Sequence, residues 1–357
     1  MDRRIYQVLP TLSYGDAVSS HAIALSRLMR FYGHANQIFA ENIHPKLTLF
    51  CRPFSEIKDA VRPNDVVVYH MSTGTDLNRW FRALKCRKIL IYHNITPPEY
   101  FEKYSDVLAN LTSRGREELK NLVGCTEMNL ADSDYNATEL VELGFQNVSV
   151  VPILLPFQDL RMPPDAHVID QMSDGKMNLL FVGRISPNKA QEDVIRVFYE
   201  YKKHYCPESR LILAGSDIGM ETYGAELKEL TEKLLISDDV IFTGHISFAQ
   251  LLAYYRTADA FVCMSRHEGF CVPLVESMFF GIPIFARKTS AIPGTLGKSG
   301  IQFDDADERS IAGEIHKVMT DPVRRKEVIE SQREQLHTYD NDRIERLLID
   351  KMRNFLK

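Results

Sequence analysis

The sequence predicts a two-domain α/β protein with a parallel sheet in each domain. Three observations predict it: a length of 357 residues, short apolar runs alternating with amphipathic segments throughout, and a proline-rich break near the middle. A chain of this length exceeds one ordinary core and suits two domains of about 150–180 residues. With 45% hydrophobic and 25% charged residues, it belongs with globular proteins rather than disordered or collagen-like ones.

The first series of strands is expected at Ile5–Leu9, Val66–Tyr69, Ile89–Tyr92, Asn129–Ala131 and Ser149–Val151. The second is expected at Asn178–Val182, Leu211–Ala214, Val240–Thr243, Ala260–Met264, Pro283–Ala286 and Ile301–Phe303. Unbroken runs such as Val66-Val67-Val68 and Leu179-Leu180-Phe181-Val182 suit parallel strands buried on both faces. Between them, Val18, Ala22, Leu25 and Met29 draw one stripe along a helix over Asp16–Phe31, with Asp16 as its cap. Val194, Phe198 and Tyr201 mark a second helix, and Ile344, Leu347, Leu348, Met352 and Phe355 a last one. Pro152, Pro156, Pro163, Pro164 and Gly175 interrupt any periodicity. The expected division is therefore 1–155, a linker over 156–175, a second domain over 176–340, and a helix over 341–357 that packs back toward the first domain.

A net charge of −5 gives no global case for nucleic acid. The start, Met1-Asp2-Arg3-Arg4-Ile5, turns polar again by Thr11 and Ser13, too soon for a signal peptide. Six scattered cysteines (Cys51, Cys86, Cys125, Cys206, Cys263 and Cys271) form no Cys-x-x-Cys pair, so reduced thiols in a cytoplasm are expected. The basic-aromatic run Arg79-Trp80-Phe81-Arg82 reads as a solvated helix face with a buried Trp; its alternative is contact with anionic lipid at the inner membrane face.

The most informative segment runs Ser265-Arg266-His267-Glu268-Gly269-Phe270-Cys271-Val272-Pro273-Leu274-Val275-Glu276. It leaves a buried strand and opens a helix, where free amides and the positive dipole end favour a phosphate. Carboxylates at Glu268 and Glu276 are good acceptors for sugar hydroxyls; the plainer reading makes Glu276 a dipole partner and Glu268 a solvated charge. The second segment, Phe181-Val182-Gly183-Arg184-Ile185-Ser186-Pro187-Asn188-Lys189, is again strand, loop and helix. Gly183 admits close backbone approach, and two cations at Arg184 and Lys189 would stabilise a departing diphosphate more than the bound one; taken alone, the segment reads more plainly as a pair of surface cations.

Together these segments resemble the large retaining glycosyltransferase family of the GT-B fold, family 4 or group 1, which carries Glu-x7-Glu and Gly-Arg-x4-Lys motifs. The resemblance extends through Leu213-Ala214-Gly215-Ser216, Phe242-Thr243-Gly244-His245 and the stretch Leu251–Ala260, covering roughly Met177–Phe303. It implies two Rossmann-like domains facing across a cleft, the first on the acceptor side and the second holding the donor. Catalytic roles fall to Glu268, Arg184, Lys189 and His93. The donor contacts are Gly15, Gly183, Arg184, Lys189, Glu268, Gly269, Phe270, Cys271, Val272 and Glu276, Glu276 taking the ribose. In the first domain, Tyr14-Gly15-Asp16 looks like the family's glycine loop, and Tyr92-His93-Asn94-Ile95-Thr96 like its sugar-contacting segment. The chain departs from the family in having one glycine in that loop, Cys271 where a glycine is usual, and Gly294 where many relatives are acidic.

The resemblance implies transfer of a hexose or deoxyhexose from a nucleotide-diphosphate sugar to a saccharide or lipid-linked acceptor, with no metal. The donor base stays open, GDP-mannose standing ahead of UDP- and dTDP-linked sugars. Asp132-Ser133-Asp134 and Asp305-Ala306-Asp307 imitate the Asp-x-Asp metal signature of the other major glycosyltransferase fold, but acidic loops commonly do so. Two rival functions are a sugar-nucleotide epimerase on the same fold and a non-catalytic partner subunit that binds a nucleotide sugar.

Overall fold

Alternate residues along the early strands are apolar on both faces, and both faces are covered. The structure, a computed structural model, describes residues 4–13 and 15–356; Met1–Arg3, Tyr14 of the glycine loop and Lys357 lie outside the described residues. The chain divides into two units, one of residues 1–99, 106–156 and 339–357, the other of residues 100–105 and 157–338.

Unit 1 holds strands β1 (Ile5–Leu12), β2 (Asn36–Ile43), β3 (Cys51–Pro53), β4 (Val66–Met71), β5 (Arg87–Tyr92), β6 (Met128–Ala131) and β7 (Val148–Val150). All pair in parallel in the order β3-β2-β1-β4-β5-β6-β7. Its helices are α1 (Ala17–Phe31), α2 (Asp76–Ala83), α3 (Asp106–Lys120) and α4 (Asp134–Glu142), joined by the helix Asn341–Leu356. One sheet face, with Val67, Tyr69, Leu90 and Tyr92, packs on Leu77 and Phe81 of α2, Leu119 of α3 and Leu140 of α4. The opposite face, with Val66, Val68, Ile89 and Ile91, packs on Leu25 and Met29 of α1 and on Ile344, Leu348, Met352 and Phe355. Each such fully buried side chain contributes about 1.5–3 kcal/mol. Asp16 caps α1 by accepting from the Ser19 amide at 3.0 Å.

On α2 the sequence expectation is half met. Phe81 is the fully buried ring, while Trp80 is half-buried, edge-on to Phe54 with its Nε1–H donating to the Lys58 carbonyl at 2.9 Å. Lys88 turns inward and donates to the Arg82 and Leu84 carbonyls, both at 3.2 Å, closing the end of α2. Among the described residues no helix is long and apolar enough to cross a membrane.

Unit 2 holds β8 (Met177–Val182), β9 (Ser209–Ala214), β10 (Val240–Phe242), β11 (Ala260–Cys263), β12 (Ile284–Arg287) and β13 (Ile301–Phe303). They form one parallel sheet in the order β10-β9-β8-β11-β12-β13. Around it lie α5 (Ala166–Met172), α6 (Gln191–His204), α7 (Glu221–Lys233), α8 (Phe248–Thr257), α9 (Val272–Phe280), α10 (Ile292–Leu296), α11 (Glu308–Thr320) and α12 (Pro322–Leu336). Within 156–175, Asp165 starts α5 by accepting from the His167 and Val168 amides, and Val168 and Met172 join the core with Ala253 and Tyr254 of α8. Gln332 of α12 reaches across to β12, accepting from the Ile284 amide at 2.9 Å and donating to the Ile282 carbonyl at 2.7 Å.

Candidate functional site

The strand order of unit 2 reverses between β8 and β11. In an open parallel sheet, ligands gather beyond the carboxyl ends of the strands at such a point. The loops leaving those two strands, 183–190 and 264–271, are the two segments singled out by the sequence.

Buried polar groups lock the loops together. The Arg266 and His267 amides donate to the Asn188 carbonyl at 2.8 and 3.1 Å. The Asn188 side chain donates to the His267 carbonyl at 3.2 Å and accepts from the Ser186 hydroxyl at 2.7 Å. A wider brace joins Asp193 at the start of α6 to Arg266 (2.9 Å) and Arg287 (2.8 Å). Behind the first loop, Gly215 fits so closely that a Cβ there would lie 1.9 Å from the Gly183 carbonyl oxygen.

In the centre, Lys189 Nζ stands 2.5 Å from Glu268 Oε2. The Ser265 hydroxyl donates to Glu268 Oε1 at 2.8 Å, and the Glu268 amide donates to the Ser290 hydroxyl at 2.8 Å. The two charged side chains are 23% and 7% exposed, so solvent screens this pair far less than a surface one. Burial pulls the Lys189 ammonium down most strongly, but Glu268, together with the neighbouring Cys271 and Cys263 sulfurs, outweighs it and holds the group above its ordinary value. A raised lysine keeps its stabilising charge until pH climbs past that value, so Lys189 stays charged at neutral pH.

The two helix starts differ. The first turn of α6 carries Glu192 and Asp193, which answer its dipole and bind Arg266. The first turn of α9 has no acidic residue, no described side chain caps it, and Cys271 precedes it at φ 71° and ψ 67°. Such a start presents amides to an anion. Four residues into α9, Glu276 accepts from the Tyr255 hydroxyl at 2.6 Å. Arg184 is exposed, its guanidinium reaching the Ile218 carbonyl at 3.4 Å.

Burial raises the Glu276 carboxyl above its ordinary range, and Tyr255 pulls it part of the way back. A carboxyl raised by folding costs stability as pH rises through its folded value. Glu276→Gln is therefore expected to melt higher than wild type near about pH 8, by about 2–4 °C for each kcal/mol relieved, and alike near about pH 4. A lower melting point at the higher pH would show that the carboxylate stabilises the fold.

In unit 1, Gly15 takes φ 78° just before the Asp16 cap. His93 follows β5 with a ring only 1% exposed. Its Nδ1 lies 2.6 Å from Asp132 Oδ2 and its Nε2 lies 2.9 Å from His70 Nδ1, while His70 Nε2 meets Gln7 Oε1 at 2.9 Å. Both ring nitrogens of His93 are thus engaged inside the unit, so a sugar contact through the ring requires giving up His70. Burial drives His70 well below the ordinary histidine range, and His21, edge-on to both rings, down to about 3.

Neither Asp-x-Asp imitation presents a carboxylate pair. Asp132 is tied to His93, and Asp307 caps α11 by accepting from the Ser310 amide at 2.8 Å. A different set has metal-ligand character: the sulfurs of Cys263 and Cys271 and a Glu268 oxygen lie within 4.8 Å of one another, all in buried residues. The Cys271 thiol, hydrogen-bonded to Cys263 and buried, is held well above its ordinary range. Sequence reasoning missed this set, along with Asn188, Ser265, Ser290 and Asp193. Spacing pointed only to Asn188, which lies inside the Gly-Arg-x4-Lys motif.

Two doubly wound parallel sheets in one chain give the GT-B fold; the second carries the Lys–Glu pair at its switch point. The fold matches that of Anabaena Alr3699/HepE in complex with UDP and glucose, at a TM-score of 0.78 and 15% identity over 99% of this chain and 100% of that one. Residues 166–335 match the family "Glycosyl transferases group 1". One relative is the D-inositol 3-phosphate glycosyltransferase of Thermobifida fusca, 27% identical over 212 residues, or 56% of this chain and 49% of the relative. Another is the GDP-mannose-dependent alpha-(1-6)-phosphatidylinositol monomannoside mannosyltransferase of Mycolicibacterium smegmatis, 28% identical over 152 residues, or 40% of this chain and 38% of the relative. The chain thus spans about half or less of the length of these curated relatives.

Proposed function

We propose that the chain is a retaining, metal-independent glycosyltransferase that moves a hexose or deoxyhexose from a nucleotide-diphosphate sugar to a saccharide or lipid-linked acceptor. The observation that carries this reading is the Lys189–Glu268 pair, 2.5 Å apart, beside the uncapped start of α9. Diphosphate oxygens are taken by the α9 amides at Cys271 and Val272 and by Lys189 and Arg184, with Gly183 and Gly269-Phe270 giving backbone access. Glu268 accepts from hydroxyls of the transferred sugar and Glu276 from the ribose. As the C1–O bond breaks, its electron pair leaves on the diphosphate, whose growing charge these fixed groups stabilise. The acceptor hydroxyl bonds to C1 from the same face, and its proton passes to the departing phosphate oxygen. Gly15 and His93 belong to the acceptor-side machinery of unit 1, with Asp132 and His70 fixing the His93 ring. The mannosyltransferase relative named for GDP-mannose and the fold neighbour holding UDP support a nucleotide-sugar donor.

A thermal-shift series with UDP, GDP, dTDP, ADP and CDP in metal-free buffer tests this. One diphosphate is expected to stabilise selectively, by about 2.7 kcal/mol at a hundredfold excess over its Kd. No shift with any of them, or activity abolished by EDTA and restored by manganese, overturns the metal-free donor site. Product analysis with and without an acceptor separates transfer from epimerisation, and a protein that binds nucleotide sugar yet never turns it over is the partner-subunit case.

A further inference from the structure

We infer that Cys263, Cys271 and Glu268 form a soft-metal site, of the kind that takes Zn²⁺, whose occupation shuts the donor pocket. Metal capture stands on the geometry alone; the shutting rests on the donor reading above. Two sulfurs and a carboxylate oxygen within 4.8 Å of one another stand near the mutual spacing set by bond lengths of about 2.3 Å for Zn–S and about 2.0–2.2 Å for Zn–O, and the ion takes the Glu268 oxygen from Lys189 or Ser265. The donors stand on rigid elements. Cys263 is the last residue of β11 and pairs with Ala286; Ser265 and Ser290 fix Glu268; Cys271 is the residue before α9.

Backbone strain and charge point the same way. Cys271 takes a left-handed conformation, φ 71° and ψ 67°, where glycine is at ease and a side chain costs about 1–3 kcal/mol. A thiol kept at such a cost, against a second thiol and the central carboxylate, indicates use of the sulfur. With both thiols protonated, Lys189 and Glu268 sum to zero charge. Zn²⁺ replacing the two thiol protons leaves the sum at zero, so the buried site gains no net charge and two protons are released per ion. Three protein donors leave a fourth position for water or a phosphate oxygen. Glu268 is then a metal ligand and no longer accepts from a sugar hydroxyl.

Cobalt(II) is the probe, because thiolate-to-cobalt charge transfer is visible whether or not the protein turns anything over. Full-length protein, reduced with a phosphine and desalted, is titrated with Co²⁺ and then with Zn²⁺. The expected result is one equivalent bound with a charge-transfer band, displacement by Zn²⁺, and release of two protons. Cys263→Ala and Cys263→Ser, which leave the proposed sugar-binding groups in place, are each expected to weaken binding by about tenfold or more. In both variants transfer activity should persist under Zn²⁺ that silences the wild type. An absent band, or one unchanged in both variants, overturns the site. Loss of two titratable thiols without bound metal identifies a Cys263–Cys271 disulfide and also overturns it. If no nucleotide sugar is ever turned over, the donor reading falls while the band still decides the metal site; a band with Zn²⁺-insensitive transfer overturns the shutting.

Discussion

Glu268→Gln is expected to lower kcat by about 100- to 1,000-fold while leaving the far-ultraviolet dichroism of the protein unchanged. The carboxylate accepts from Lys189 and Ser265, while Ser290 holds the Glu268 backbone amide, and an amide of the same shape presents half the acceptor capacity and no charge. Lys189→Ala should cost as much, because it removes the cation nearest that carboxylate and leaves Glu268 buried beside Ser265 alone. The double variant should be no slower than either single one, since residues acting as a unit lose their effect together. Each single change should also cost about 1–3 kcal/mol in stability, the penalty for a buried group robbed of its partner. Near-normal kcat in both folded variants would remove the pair from the chemistry.

Gly215→Ala is expected to destabilise unit 2 by about 3 kcal/mol or more and to lower soluble yield. The added methyl would sit 1.9 Å from the Gly183 carbonyl oxygen and 2.7 Å from its carbon. Neither backbone can retreat: the Gly183 amide donates to the Ala214 carbonyl at 3.0 Å, and the Ile185 amide to the Ser216 carbonyl at 2.9 Å. Gly294→Ala is the control, because nothing lies within 4 Å of a Cβ there. Thermal melts of the two variants should differ by several degrees; equal melting points would mean the β8 and β9 loops can separate without loss.

The strands read from unbroken aliphatic runs are all present, because a strand buried on both faces must be apolar at nearly every position. Two strands were not legible. In β2, Gln37, Glu41 and Asn42 blur the alternation that a one-sided strand needs, and β3 is three residues at the sheet edge. β1 also runs past the expected end at Leu9 to Leu12, through Pro10. The missing amide costs little there, since β1 pairs with β4 only as far as Val8, and Pro10 is passed over in the pairing with β2. In the site, spacing named the charged groups because motif residues sit at fixed offsets within one loop. The network that holds them was illegible: Asn188 meets His267 from 79 positions away, and no local pattern encodes a partner that distant. The cysteine set escaped for the same reason from the other side, since Cys263 closes a strand and Cys271 opens a helix.

The helix Asn341–Leu356 covers the sheet face of unit 1 that carries Val66, Val68, Ile89 and Ile91, yet it follows all of residues 157–338 in the chain. During translation unit 2 therefore emerges whole before unit 1 receives its last layer. At about 5–20 residues per second, roughly 200 residues separate β7 from the end of that helix, an interval of about 10–40 s. Throughout it the nascent sheet has α1 on that face but leaves the aliphatic strip that Ile344, Leu348, Met352 and Phe355 will cover open to holding chaperones. The later half of this protein would then mature first, and the earlier half would be sealed last.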